Sequence, residues 1–137
     1  MNKQIKPQTL LSTLWIFVLL NMVFRDLHQF GNKGFLEEML TGVVNGVEIT
    51  DELMLIGGIL AEIPILMVLL SRILKDNANK WANLIAGVIT IAVFATAIPS
   101  ADIDDIFHMT IEVAAILWIF NIAWKLPSLS RNTNPIS

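Results

Sequence analysis

Apolar residues in this 137-residue chain fall in long runs, not in the narrow stripe of a soluble helix. Residues 10–24, 53–70 and 84–98 carry almost no charge. A bilayer span needs roughly 20 mostly apolar residues at about 1.5 Å each, and four such windows fit. The pattern predicts an all-α fold, a four-transmembrane-helix bundle occupying 1–127. Its spans lie at about 9–29, 51–71, 81–98 and 105–125, separated by Gly31, by Thr50-Asp51-Glu52, by Pro99-Ser100 and by an acidic stretch. Thr50 or Asp51 can cap the second helix. Residues 128–137, rich in Ser, Asn and Pro, read as a disordered cytoplasmic tail. A cleaved leader is not expected, because no small-x-small site follows the first apolar run.

The first connection breaks the pattern. Phe35, Leu36, Met39, Leu40 and Val43 recur at helical spacing around Glu37 and Glu38, which predicts a short amphipathic helix over 34–41. Asn45-Gly46 then predicts a tight turn. This piece could close over the mouth of the bundle as a lid, or merely lie on the surface.

Charge orients the bundle. The N-terminus, the loop between spans 2 and 3 and the tail hold seven cations against the single acid Asp76. The other two loops, with the ends of their spans, hold Arg25 and Lys33 against nine acids. Lys and Arg mark the cytoplasmic side, so the expected topology is N-in and C-in. Trp15, Trp81 and Trp124 fall near the cytoplasmic ends of their spans, as an aromatic belt would place them.

Composition agrees: 55% hydrophobic and 15% charged residues, with mean hydropathy +0.66. The absence of cysteine excludes disulfide exchange, thiolate catalysis and Fe–S ligation. An acidic balance makes nucleic acid a poor partner. No cofactor is specified.

Two carboxylates lie inside spans, where each ionised group costs roughly 2.5–3.5 kcal/mol on insertion scales. By helical rise Glu62 is about 15 Å from the outer end of its span and Glu112 about 10 Å; on cost alone, neither should face lipid. His108 and Glu112 share a face with Asp105; Asn21, Arg25 and His28 share another; Asp51, Gly58 and Glu62 share a third. If these stripes converge they form a polar site open to the outer side. Arg25 should pair with the shallower Glu112, leaving Glu62 to a ligand or a proton. Pro64 frees the Leu60 carbonyl and bends the second span near Glu62. No metal is expected; the metal alternative is His108, Glu112 and His28. On span 3, Ala82, Asn83, Ala86, Gly87 and Thr90 make a small-residue face for close helix packing.

Ile56-Gly57-Gly58-Ile59-Leu60-Ala61-Glu62, running on to Ser71-Arg72, resembles the second span of DoxX-like small bacterial membrane proteins. Those have four spans, an acid after a glycine in span 2, and a base where it exits. The resemblance implies a multi-pass protein of the bacterial inner membrane attached to a redox or quinone-linked system. It does not cover Pro64 or the His108–Glu112 pair.

Three classes of function remain. The first is a polar intramembrane site binding a small lipophilic ligand, where Glu62 and Glu112 would hold the polar head and could do acid–base chemistry on it. The second is a proton-coupled small exporter working through Glu62 as a homodimer. The third is a structural or accessory subunit of a larger membrane complex, its polar residues only locking the bundle.

Overall fold

The computed structural model describes the backbone of residues 5–133 and the side chains of residues 5–127. The chain forms α1 (Pro7–Gln29), α2 (Phe35–Thr41), a hairpin of β1 (Val43–Val44) and β2 (Val47–Glu48), α3 (Asp51–Ile73), α4 (Asp76–Ala97), a 3-10 turn (Ile98–Ser100) and α5 (Ile103–Thr133). Four helices are long and apolar enough to cross a membrane, so this is a multi-pass membrane protein by architecture. They run up and down in a closed ring, α1 packing on α3 and α5, and α4 on α5 and α3. One end of the ring carries the α3–α4 connection with Arg72, Lys75 and Lys80 and is called the basic end. The other, with Asp26, Asp102 and Asp104, is the acidic end.

Local chemistry explains most boundaries. Pro7 opens α1, where its missing N–H costs nothing. Thr50 caps α3 by accepting the Leu53 N–H at 3.2 Å. Asp102 and Asp105 form a reciprocal capping box at the start of α5. The Asp105 N–H donates to Asp102 Oδ1 at 2.9 Å, and the Asp102 N–H to Asp105 Oδ2 at 3.3 Å. In the hairpin, Asn45 (φ 50°) and Gly46 (φ 76°) both take the positive angles of a type I′ turn.

Two boundaries depart from the sequence reading. α4 starts at Asp76, one turn and more before position 81, because its polar first turns face inward: Asn79 and Asn83 are fully buried. α5 does not stop at 125. It continues through Pro127 to Thr133, so 128–133 are helical, while 134–137 lie outside the described residues. Ala123 and Leu126, both fully buried, hold the turn that contains the proline.

The core is densest towards the basic end, around Leu11, Trp15, Val18, Ile116, Ile119 and Leu126. Trp15 is fully buried, not part of a surface belt, and Trp81 and Trp124 are exposed. Its indole N–H donates to Asn83 Oδ1 at 2.7 Å, and the Ser71 hydroxyl donates to the same oxygen at 3.3 Å. The Asn83 amide donates to Asn79 Oδ1 at 2.7 Å, and the Asn79 amide to the Ser71 carbonyl at 2.7 Å. Ser12 donates to the Val68 carbonyl at 2.7 Å and accepts from Arg72 Nε at 3.0 Å. Such a network ties α1, α3 and α4 together with every buried group satisfied. Gly87 lets α4 approach α5: a Cβ there would meet the Phe120 ring well inside contact distance.

α3 behaves differently along its length. Pro64, Met67 and Ser71 are buried against the bundle, whereas residues 51–59 are exposed on every side. Nothing lies within 4 Å of a Cβ built on Gly57 or Gly58. The acidic half of α3 stands away from its neighbours, and Pro64 marks where the helix enters the bundle.

Candidate functional site

The stripes of α1 and α5 converge at the acidic end. Arg25 Nη1 donates to Glu112 Oε2 at 2.7 Å. Glu112 is fully buried and Arg25 is 11% exposed. The guanidinium also lies 5.1 Å from the centre of the Phe94 ring, so α4 contributes an aromatic face to the same cation. An ion pair this deep is tolerated only because each partner answers the other's charge. The answer is incomplete: Glu112 Oε1 is buried and has no hydrogen-bond partner among the described residues.

Towards the surface, His28 Nδ1 lies 2.8 Å from Asp104 Oδ2, and His108 Nε2 lies 3.8 Å from Asp104 Oδ1. The two imidazoles meet edge to face with centroids 5.9 Å apart. His108 Nδ1 is buried and unpartnered, so among the described residues the polar engagement of this ring is through Nε2.

Beside these pairs lies a polar cavity of about 300 Å³. Its charged lining is Arg25 and Lys33 against Asp26, Glu38, Asp102 and Asp105. Gln29 reaches Asp105 at 3.4 Å and Asn32 reaches Asp102 at 3.1 Å, joining the end of α1 to the start of α5. The Asp105 N–H is the largest influence holding the Asp102 carboxyl below its ordinary range, followed by the Asn32 amide. The first connection supplies one wall through Phe35, Glu38 and Asn45, and the Asn45 N–H donates to Glu38 at 2.8 Å. Leu36, Met39 and Leu40 of α2 stay exposed. A second, apolar groove of about 330 Å³ opens between α4 and α5, lined by Ile91, Phe94, Ile98, Ile106 and Val113 among others. Met109 belongs to the lining of both.

Not every expected residue takes part. Arg25, His28, Asp105, His108 and Glu112 are gathered at the acidic end, but Asp105 turns to the cavity, and Asp104 joins the histidines. Glu112 is taken by Arg25 and does not complete a ligand set with His28 and His108. Asn21 donates to the Phe17 carbonyl of its own helix at 2.9 Å and lines neither cavity. Glu62 is exposed on the outward face of α3, away from the other stripes. The cost of an outward carboxylate argued against that placement, but it decides nothing when a helix stands apart from its bundle. Gln29 and Asn32 also belong to the site; their signal in the sequence is polar residues continuing the Arg25–His28 face towards the helix end. Asp26, which the sequence allows as a completing metal ligand, lines the cavity instead.

The chain belongs to the family of unknown function DUF6326, whose sequence profile matches residues 1–130. No curated protein and no solved structure matches it.

Proposed function

We propose that this protein binds an amphiphile with a positively charged head group, the head in the polar cavity and the apolar tail along the α4–α5 groove. The observation that carries this reading is the shared wall: Met109 lines a polar and an apolar cavity of similar size. Four carboxylates against two cations favour a positive head group, and the volume suits a head group better than a whole lipid. Arg25 is the fixed point of the site, and Glu112 holds it there. The reading assigns binding and no reaction.

In this reading the acidic end faces outward and both termini lie in the cytoplasm of a bacterial cell, as the cation distribution favours. The hairpin and α2 then form an outer wall, with Leu36 and Leu40 against the lipid surface. Asn77→Cys should be labelled only from the cytoplasm and Asn45→Cys only from outside.

The binding test is titration calorimetry of dodecylamine into the detergent-solubilised protein, with dodecanol and dodecyl sulfate for comparison. Saturable binding of the amine, weakened in Asp105→Asn and absent for the sulfate, is expected. Equal binding of all three would remove the head-group assignment.

A second reading is favoured by Glu62. A mid-helix carboxyl on an outward face, beside a half-helix exposed on every side, fits α3 packing against another polypeptide, as in a dimer or a larger complex. The chain has no native cysteine, so Gly58→Cys reports directly. Disulfide-linked dimer in native membranes supports a dimer, and its absence under oxidation opposes it.

A further inference from the structure

We infer that His28, Asp104 and His108 form a binding site for a borderline divalent transition-metal ion, with zinc as the best fit. The inference is independent of the amphiphile reading, because none of the three residues lines the polar cavity or the apolar groove.

Donor chemistry comes first. Two imidazole nitrogens and one carboxylate oxygen suit zinc, and are a poor set for calcium or magnesium, which take oxygen ligands. Geometry comes next. One ligand atom from each residue lies within 4.8 Å of the other two. Zinc–nitrogen and zinc–oxygen bonds of about 2.0–2.1 Å at tetrahedral angles put neighbouring ligand atoms about 3.4 Å apart. Asp104 faces both rings, one oxygen 2.8 Å from His28 Nδ1 and the other 3.8 Å from His108 Nε2, so the three groups surround one point. His28, whose side chain is 66% exposed, has room to adjust its rotamer towards the ligand spacing.

The ligand atoms are also available. Asp104 already spans the two rings, one oxygen towards each. His108 is 15% exposed and set in place by the edge of Phe107, with ring centroids 5.5 Å apart. The site therefore has one anchored ligand, one bridging carboxylate and one mobile ligand on the solvent side through which an ion can enter. Three protein ligands leave a fourth position for water. The ligands come from the last turn of α1 and the first turns of α5, so an ion here would clamp these helix ends together above the Arg25–Glu112 pair.

The test uses the full chain purified without a histidine tag and stripped with a chelator. Calorimetry should show one zinc per chain, thermal unfolding should shift upward with zinc and return with chelator, and calcium should do neither. Cobalt should give the intense visible bands of a low-coordinate site. His28→Ala, exposed enough to leave folding intact, should weaken zinc binding on the order of a hundredfold, since even supporting residues at metal sites cost 10–100-fold. Asp104→Asn should weaken it too, and Glu37→Gln should not. Zinc binding unchanged in His28→Ala, several weak equivalents per chain, or no saturation would overturn the site.

Discussion

The two ends of this bundle solve the same problem in different ways. At the basic end Trp15, Ser71, Asn79 and Asn83 are buried polar groups that satisfy one another in full and join α1, α3 and α4. At the acidic end α3 stands apart, and Arg25 and Glu112 are paired, but among the described residues one Glu112 oxygen and one His108 nitrogen find no partner. A buried polar network without loose ends locks a fold. A buried polar set with loose ends, beside a cavity, has capacity left for something else. Polar residues within spans thus do not by themselves mark a site; unspent hydrogen-bonding capacity next to open volume does.

The largest effect should come from Arg25→Met. It leaves the fully buried Glu112 without its cation, and breaking such a pair costs about 3–5 kcal/mol. Thermal unfolding in detergent should show the loss, and adding Glu112→Leu should recover most of it. If the double variant stays as unstable as the single one, the pair is not the relevant interaction.

Asn83→Leu should come next. It strands the Trp15 N–H, the Ser71 hydroxyl and one Asn79 oxygen, with a loss of about 2–3 kcal/mol. Dodecylamine affinity, measured on the folded fraction, should not change. A change in binding comparable to that of Arg25→Met would erase the distinction between the two ends.

Gly87→Ala should cost about 1–2 kcal/mol by overpacking against Phe120. A neutral result by denaturant titration would mean that α4 and α5 separate more easily than their contact suggests.

The smallest effect concerns Asp102. Its carboxyl titrates below the ordinary 3.8 in the fold, so it adds stability above that pH, lost as pH falls through the lower folded value. Asp102→Asn should flatten stability against pH below about 4 and lower it slightly near neutrality, where the ionised carboxylate contributes; thermal unfolding across that pH range is the check.

Much of this was legible in the sequence, and the misses are physical. Four spans followed from uncharged runs, and the Arg25–Glu112 pair followed from relative depth along two helices. Asn45-Gly46 announced its turn because few other pairs take two positive φ angles. Helical geometry could fix which residues share a face, but not which way the face points: Glu62 and Gly58 share one on α3, and it looks outward. Asn79 was hidden because polar residues at a span end read as loop, when here they fold inward to meet Trp15. The sequence reading ends the fourth span at about 125, two residues before Pro127, whose ring removes one helical hydrogen bond. The buried contacts of Ala123 and Leu126 outweigh that loss.

Met109 offers the most direct test of the account, because it alone among the residues described belongs to both cavities. Met109→Trp adds bulk to the shared wall and leaves both partners of the Arg25–Glu112 pair and of the Trp15–Asn83 network in the sequence. Calorimetric titration of dodecylamine into the folded variant should show affinity reduced at least about tenfold, a change of about 1.4 kcal/mol, alongside the modest loss of thermal stability that overpacking this buried side chain brings. Undiminished affinity in a normally folded Met109→Trp protein would contradict the account.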